Sequence, residues 1–384
     1  LRFFKIMKMK IAIVCCPTFG GSGVMATELG MSLVNHGHEV HFIAYKKPVR
    51  LTDLNQNLHF HKVNVPDYPL FSFVPYELAL STKLVDVVKN NSIDVLHVHY
   101  AIPHAYAAYM AKKMLKEQSI NIPIVTTLHG TDITLVGNHP SYKTAVTFSI
   151  NKSDIVTCVS QSLKEDTLDQ FDIKKEIVVI PNFIDISKYI IQQDLCLHEN
   201  PIPAKEFIIS HVSNFRPVKN VTNVIKIFYN IQKQLKAQLL MIGEGPEKSV
   251  AEDLCKELGI SHLVKFLGNT NQVEKNLCHS DLFLLPSSAE SFGLAALEAM
   301  ASKVAVISSN AGGLPEINID GETGYVEDFD NIDEMSKKAI SILSSKEQLD
   351  SFKNKAFLKA NVYDINNLVP LYEKTYQRAL DSIK

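Results

Sequence analysis

Short runs of β-branched and apolar residues alternate with amphipathic stretches from residue 10 to residue 182, and after a break the alternation begins again. The first set is KIAIVCC (10–16), EVHFIAY (39–45), VLHVHY (95–100), IPIVTTLHG (122–130), DIVTCVS (154–160) and EIVVIPN (176–182). Between them lie segments such as GVMATELGMSLVNHG and AAYMAKKMLKEQ. Strands apolar from end to end need cover on both faces, and the intervening helices supply it, so the pattern predicts a parallel sheet. The second set is FIISHVS (207–213), AQLLMIG (237–243), LVKFLG (263–268), LFLLPS (282–287) and VAVISS (304–309). The expected fold class is α/β: two Rossmann-like, doubly wound parallel-sheet domains, at 1–183 and 204–365, facing across a cleft. Residues 184–203 have no clear period and carry two prolines, which suits a linker. The last stretch, 366–384, reads as a helix with Pro370 near its start and is expected to pack back on the first domain. Ligands in such an architecture sit at the carboxyl ends of the strands.

Bulk properties exclude more than they assign. At 384 residues the chain is long for one hydrophobic core and comfortable for two. A net charge of -2 gives no reason to expect a nucleic-acid or anionic-membrane partner. No stretch approaches a membrane-spanning length, and the apolar run behind the basic opening LRFFKIMKMK is too short for a signal peptide, so cytoplasm is the expected location. The six cysteines (15, 16, 158, 196, 255 and 278) form no CxxC pair and stand at no metal-ligand spacing, so reduced thiols are expected.

Four loops fall at strand ends. PTFGGSGVMATELG has Gly20, Gly21 and Gly23 ahead of a helix, which permits close backbone approach and offers free amides to an anion. Gly21, Gly23 and Ala26 also satisfy a G-x-G-x-x-A dinucleotide fingerprint. The next strand ends in AYKK, however, not in the acidic residue that would hold a ribose, and a ligand-free turn stays open as a reading. TTLHGTDIT gathers His129, Thr131 and Asp132 around Gly130 at a strand end. Beside this second loop, the neighbouring candidate HVHYAIPHA holds His97, His99 and His104, which fit a buried strand as readily as a site. With no carboxylate at ligand spacing, they are not read as a metal centre. SNFRPVKN places Arg216 and Lys219 just before a helix, as phosphate ligands or as solvated surface cations.

The fourth loop is SSAESFGLAALEAM (287–300). A buried strand leads through a loop to a helix beginning at Gly293, whose first amides near Phe292, Gly293 and Leu294 would meet a diphosphate. Glu290 lies in the loop and Glu298 about two turns into the helix, on the same side as its start. The two carboxylates can then hold hydroxyl groups on either side of the diphosphate.

These residues resemble the retaining glycosyltransferases of the large GT4 group, which have the GT-B fold, and the resemblance covers nearly the whole chain. Glu290-(x7)-Glu298 with SFGL matches the group's paired-glutamate motif, and GEGP (243–246) and LGN (267–269) match its nucleotide loops. The resemblance implies a donor-binding second domain and an acceptor-binding first domain. Glu290 is implied to act on the donor sugar's hydroxyls, with His129 beside that sugar, and Glu298 to bind the ribose. Asn214, Arg216, Lys219, Gly243, Asn269, Ser291, Phe292, Gly293 and Leu294 complete the implied donor contacts.

Within the group, PTFGGSGVMATELG, HVHYAIPHA, TTLHGTDIT, HVSNFRPVKNV and GEGPEKS are similar to a bacillithiol-pathway subfamily that uses UDP-GlcNAc and L-malate. This implies Gly21, Ser22, Tyr100 and Thr131 as acceptor contacts. It also implies no cofactor, no required metal and a homodimer. One departure stands out: many members carry Gly-Arg-Leu where this chain has Ser213-Asn214-Phe215, so the usual arginine position is Asn214. Lys219 keeps the usual lysine position. Three other readings remain: a GT4 enzyme with another donor or acceptor, a nicotinamide oxidoreductase, and a non-catalytic nucleotide-sugar sensor.

Overall fold

The computed structural model describes residues 8–18, 20–51, 54–67, 73–198 and 206–383. They form two compact units, one of residues 1–182 with 365–384 and the other of residues 183–364.

The first unit has a seven-stranded sheet: β1 (Lys10–Val14), β2 (Glu39–Ala44), β3 (Leu58–Lys62), β4 (Val95–His99), β5 (Ile124–Leu128), β6 (Ile155–Cys158) and β7 (Ile177–Val179). Its order is β3-β2-β1-β4-β5-β6-β7, with every pairing parallel. The second has six: β8 (Phe207–Val212), β9 (Ala237–Ile242), β10 (Val264–Gly268), β11 (Leu282–Leu285), β12 (Ala305–Ser309) and β13 (Gly324–Glu327). Their order is β10-β9-β8-β11-β12-β13, again all parallel. Both sheets reverse winding direction beside their first strand, between β1 and β4 and between β8 and β11. Those are the switch points where such sheets bind ligands.

Burial explains the pattern. Every residue of β4, β5, β11 and β12 is buried. The helix Val221–Gln232 shows the matching helical stripe: Val221, Val224, Ile225, Phe228 and Ile231 face the core. Burying that many apolar side chains, at about 1.5–3 kcal/mol each, is what holds the layers together.

The C-terminal helix, Ile365–Asp381, belongs to the first unit. Its Tyr376 hydroxyl is 2.8 Å from His97 Nδ1, and its buried Glu373 carboxylate lies 3.0 Å from both His36 Nδ1 and His38 Nε2. His38 Nδ1 accepts the Met9 amide at 3.1 Å, so its Nε2–H donates to Glu373.

Two expectations need correction. The stretch read as a linker holds the helix Ile186–His198, which lies in the second unit; residues 199–203 of that stretch are outside the described residues, as is most of the basic opening. The six cysteines are not all free. Cys196, on that helix, is bonded to Cys278, with their Cα atoms 6.4 Å apart, whereas Cys15, Cys16, Cys158 and Cys255 remain thiols. A separation of 82 residues leaves no local spacing to read. The denatured, unreduced chain is expected to titrate with four thiols, rising to six after reduction; six without reductant contradicts the pairing.

Candidate functional site

In the second unit, the loops after β8 and β11 meet at the switch point. Asn220 Nδ2 donates to the Pro286 carbonyl at 2.9 Å, and the Ser288 amide donates to the Val218 carbonyl at 2.8 Å. This stitching brings the Lys219 ammonium into a direct ion pair with the Glu290 carboxylate. The pair is largely shielded, at 18% and 16% side-chain exposure, so it is screened less than a surface pair. The sequence suggested separate roles for these two residues, and the structure joins them.

Glu290 is also fixed from behind. Its carbonyl accepts the Gly313 amide at 3.0 Å, and a β-carbon on Gly312 would stand 1.9 Å from that carbonyl oxygen. Only glycine fits there. Past Glu290 the chain turns at Gly293, whose φ is +98° and whose β-carbon would meet Leu314 Cδ2 at 2.5 Å. The helix Leu294–Ala301 starts there, and its first amides have no partner inside the helix. Phe292 is buried edge-on against Tyr363. Glu298 is buried and four residues from the helix start, little more than one turn rather than two.

The 213–220 loop is held by a relay that sequence reading missed. His211 Nδ1 donates to the Leu284 carbonyl at 2.8 Å, so its Nε2 accepts from Ser213 Oγ, also at 2.8 Å. Ser213 Oγ in turn accepts the Phe215 amide at 3.2 Å. Burial holds the His211 imidazole down at about 4, which keeps it neutral and the relay intact. Phe215 is buried, while Asn214 and Arg216 on either side of it are exposed. The GEGP loop lies against this segment: β-carbons on Gly243 and Gly245 would stand 1.8 Å from Ser213 O and 1.9 Å from Asn214 O. Asn269 is exposed just after β10.

In the first unit, the loops after β1, β4 and β5 meet. Gly23 packs so closely that a β-carbon would lie 2.4 Å from Cys16 O. Gly21 is exposed at the first position of the helix Gly21–Asn35, and Ser22 Oγ hydrogen-bonds the Tyr100 hydroxyl. Tyr100 holds a φ of +85°, a strained value for a residue with a side chain. Its amide donates to Thr127 O at 2.9 Å.

Asp132 is a tie between loops rather than an exposed ligand. Its buried carboxylate accepts the amides of Ala101 at 2.8 Å, Gly130 at 3.0 Å and His129 at 3.2 Å. Burial raises its pKa to about 6 against the pull of those amides. Thr131 begins the short helical turn Thr131–Leu135. His129, half-buried, bonds through Nε2 to His99 Nδ1 at 2.7 Å. His97 is structural, held between Thr127 Oγ1 at 2.7 Å and the Tyr376 hydroxyl. Arg50 sits 3.7 Å from Glu28, on the same helix as Ser22. Among the described residues, Glu39, His41 and His59 form a group that could hold a metal ion, and Cys196 and Cys278, beside His279, are bonded to each other instead; neither group lies in these loops.

The comparisons with known proteins fall on this framework. Glycosyltransferase Family 4 matches residues 19–188, and Glycosyl transferases group 1 matches residues 194–359. The N-acetyl-alpha-D-glucosaminyl L-malate synthase of Bacillus anthracis is 43% identical over 97% of this chain and 98% of its own. The chain belongs to the family 4 glycosyltransferases. A solved glycosyltransferase from Rickettsia africae ESF-5 superposes with a TM-score of 0.78 at 20% identity, covering 97% of this chain and 99% of that one. Anabaena HepE, solved in complex with UDP, gives 0.75 at 17% identity, covering 97% and 100%. The fold is GT-B.

For a glycosyltransferase of this family the chemical content of the second unit is clear. An anion at the start of the helix Leu294–Ala301 meets backbone amides and the positive end of the helix dipole. The Lys219 cation is paired to Glu290, four residues before that helix. The family assignment also removes the oxidoreductase reading of the Gly-rich loop. Among the described residues, no helix is long and apolar enough to cross a membrane.

Proposed function

We propose that this glycosyltransferase transfers N-acetylglucosamine from UDP-GlcNAc to the hydroxyl of L-malate, with retention of configuration. The observation that carries this reading is the 43% identity, end to end, with a chain named for that reaction. In the reaction the bond between the sugar's anomeric carbon and the β-phosphate oxygen breaks. A bond from malate's hydroxyl oxygen forms on the same face, and the hydroxyl proton passes to the departing diphosphate. Catalysis of this kind is positioning plus charge stabilisation.

In this reading Lys219, Arg216 and the amides of Gly293 and Leu294 receive the diphosphate, with Ser291 and Phe292 shaping the turn. Glu290 holds the sugar hydroxyls, His129 stands beside the sugar, and Glu298 binds the ribose. Asn214, Gly243 and Asn269 border the nucleotide. Gly21, Ser22, Tyr100 and Thr131 contact malate. The cations and amides carry the charge neutralisation without a metal, and the enzyme works as a cytoplasmic homodimer.

Lys219→Ala is expected to weaken UDP binding about 10–100-fold by calorimetry, the worth of one charged hydrogen bond. An unchanged affinity removes Lys219 from the phosphate site. The function itself is tested with UDP-GlcNAc, UDP-glucose and GDP-mannose against L-malate and other hydroxy acids, reading UDP release together with product mass. A GlcNAc-malate product made faster than every other pairing supports the proposal. A different preferred donor or acceptor overturns it and leaves the family assignment intact.

A further inference from the structure

β4 and β5 are neighbours in register, with His99 opposite Thr127, so the residue two past Thr127 comes beside His99. His99 Nδ1 and His129 Nε2 are 2.7 Å apart, with ring centroids 5.0 Å apart and planes 25° from parallel. Burial lowers the pKa of both: His129 to about 3, with His104 adding to the effect, and His99 well below its ordinary value. Two neutral imidazoles joined in this way share one proton, and which ring donates is set by their other nitrogens.

His99 Nε2 decides it. That atom is buried and has no hydrogen-bond partner among the described residues. A proton there would be a sealed N–H without an acceptor, the rarest kind of unpaired polar group in folded proteins; a bare lone pair is the lesser cost. The proton of His99 therefore belongs on Nδ1, which donates to His129 Nε2. His129 must then carry its own proton on Nδ1. The carbonyl of His99 is fixed as well, since His104 Nδ1 donates to it at 2.5 Å.

We propose that His99 is a positioning residue that locks His129 in the Nδ1–H tautomer, so that His129 offers the donor sugar a hydrogen-bond donor and not an acceptor. The catalytic half of this rests on the reading of His129 as a donor-sugar contact. The tautomer half rests on the geometry alone.

The test uses full-length protein labelled with ¹⁵N-histidine, in which long-range ¹H–¹⁵N correlation reads the tautomer of each ring. His129 signals are identified by their loss in His129→Gln. The expected result is His129 protonated at Nδ1 in the wild type. His99→Phe should lose that fixed tautomer and lower kcat about 10–100-fold, with UDP affinity unchanged because UDP lacks the sugar. His99→Asn places an amide N–H where Nδ1 stood and should restore both the tautomer and most of kcat, which a purely structural role would not do. An Nε2–H tautomer of His129 in the wild type, or one unaltered in His99→Phe, overturns the proposal. Full activity in His129→Gln overturns its catalytic half, and with it the reading of His129 as a sugar contact, whatever the tautomer.

Discussion

Glu290→Gln is expected to lower turnover about 10²–10³-fold, the usual consequence of removing one pre-positioned charged group from a transition state, while the protein stays folded. The backbone at this position is set independently of the side chain, by the Gly313 amide on its carbonyl and the absent β-carbon at Gly312. The substitution therefore keeps the shape and removes the charge. What remains is a neutral amide facing Lys219, whose ion pair is lost. An amide also accepts hydrogen bonds from sugar hydroxyls more weakly than a carboxylate does. UDP release at saturating substrate measures the effect, and an unchanged melting temperature shows that the fold is intact. Turnover within a few-fold of wild type would remove Glu290 from the chemistry.

Acidification from pH 7 to pH 5 is expected to lower Tm by at least roughly 6–12 °C in the first unit. The sign follows from which state binds protons. Burial holds His97 at about 3 and His104 at about 4, whereas both titrate near 6.5 once unfolded. Between those values the unfolded chain takes up protons that the folded one refuses. Stability is therefore full above about pH 6.5 and is lost as pH falls, by roughly 2 kcal/mol per imidazole at pH 5. Asp132 works the other way. Its carboxyl is raised to about 6 by burial, so protonation in the folded state returns about 1 kcal/mol over the same range. Among these three groups the histidines win, leaving roughly 3 kcal/mol of loss, and the lowered pKa values of His129, His99, His41 and His61 act in the same direction. His211, held at about 4, adds roughly 2 kcal/mol in the second. A Tm that is flat or rises between pH 7 and pH 5 contradicts the neutral, buried state of these rings.

The two-sheet architecture was legible because continuous apolar strands such as LFLL and AVISS have no other stable placement. The strands that escaped were the ones lacking that signature. β3, LHFHK, is an edge strand that alternates histidine with apolar residues, and β13, GYVE, is four residues long behind a turn. The helix Ile186–His198 was hidden for a different reason. Its first amide is held by Asp364 Oδ2 at 3.1 Å, 178 residues away, which no local pattern reveals.

The candidate site divides in the same way. Glycine clusters, Lys219 and the two glutamates stood out as residue types at strand ends. The Lys219–Glu290 pair, the Gly312 contact beneath Glu290 and the His211–Ser213–Phe215 relay join residues from separate loops or depend on burial. Asp132 stood out with His129 and Thr131 in a polar cluster at a strand end, where an acid commonly faces solvent. Three converging amides turn it inward instead.

The central claim is that the turn before the helix Leu294–Ala301, together with Lys219, Glu290 and Glu298, is where the nucleotide donor binds. A crystal structure of the enzyme with UDP at saturating concentration tests it most directly. The account predicts phosphate oxygens within hydrogen-bond distance of the Gly293 and Leu294 amides and of Lys219 Nζ, with the ribose hydroxyls on Glu298. Uridine diphosphate bound elsewhere, or clear density showing only solvent at that turn, would contradict it.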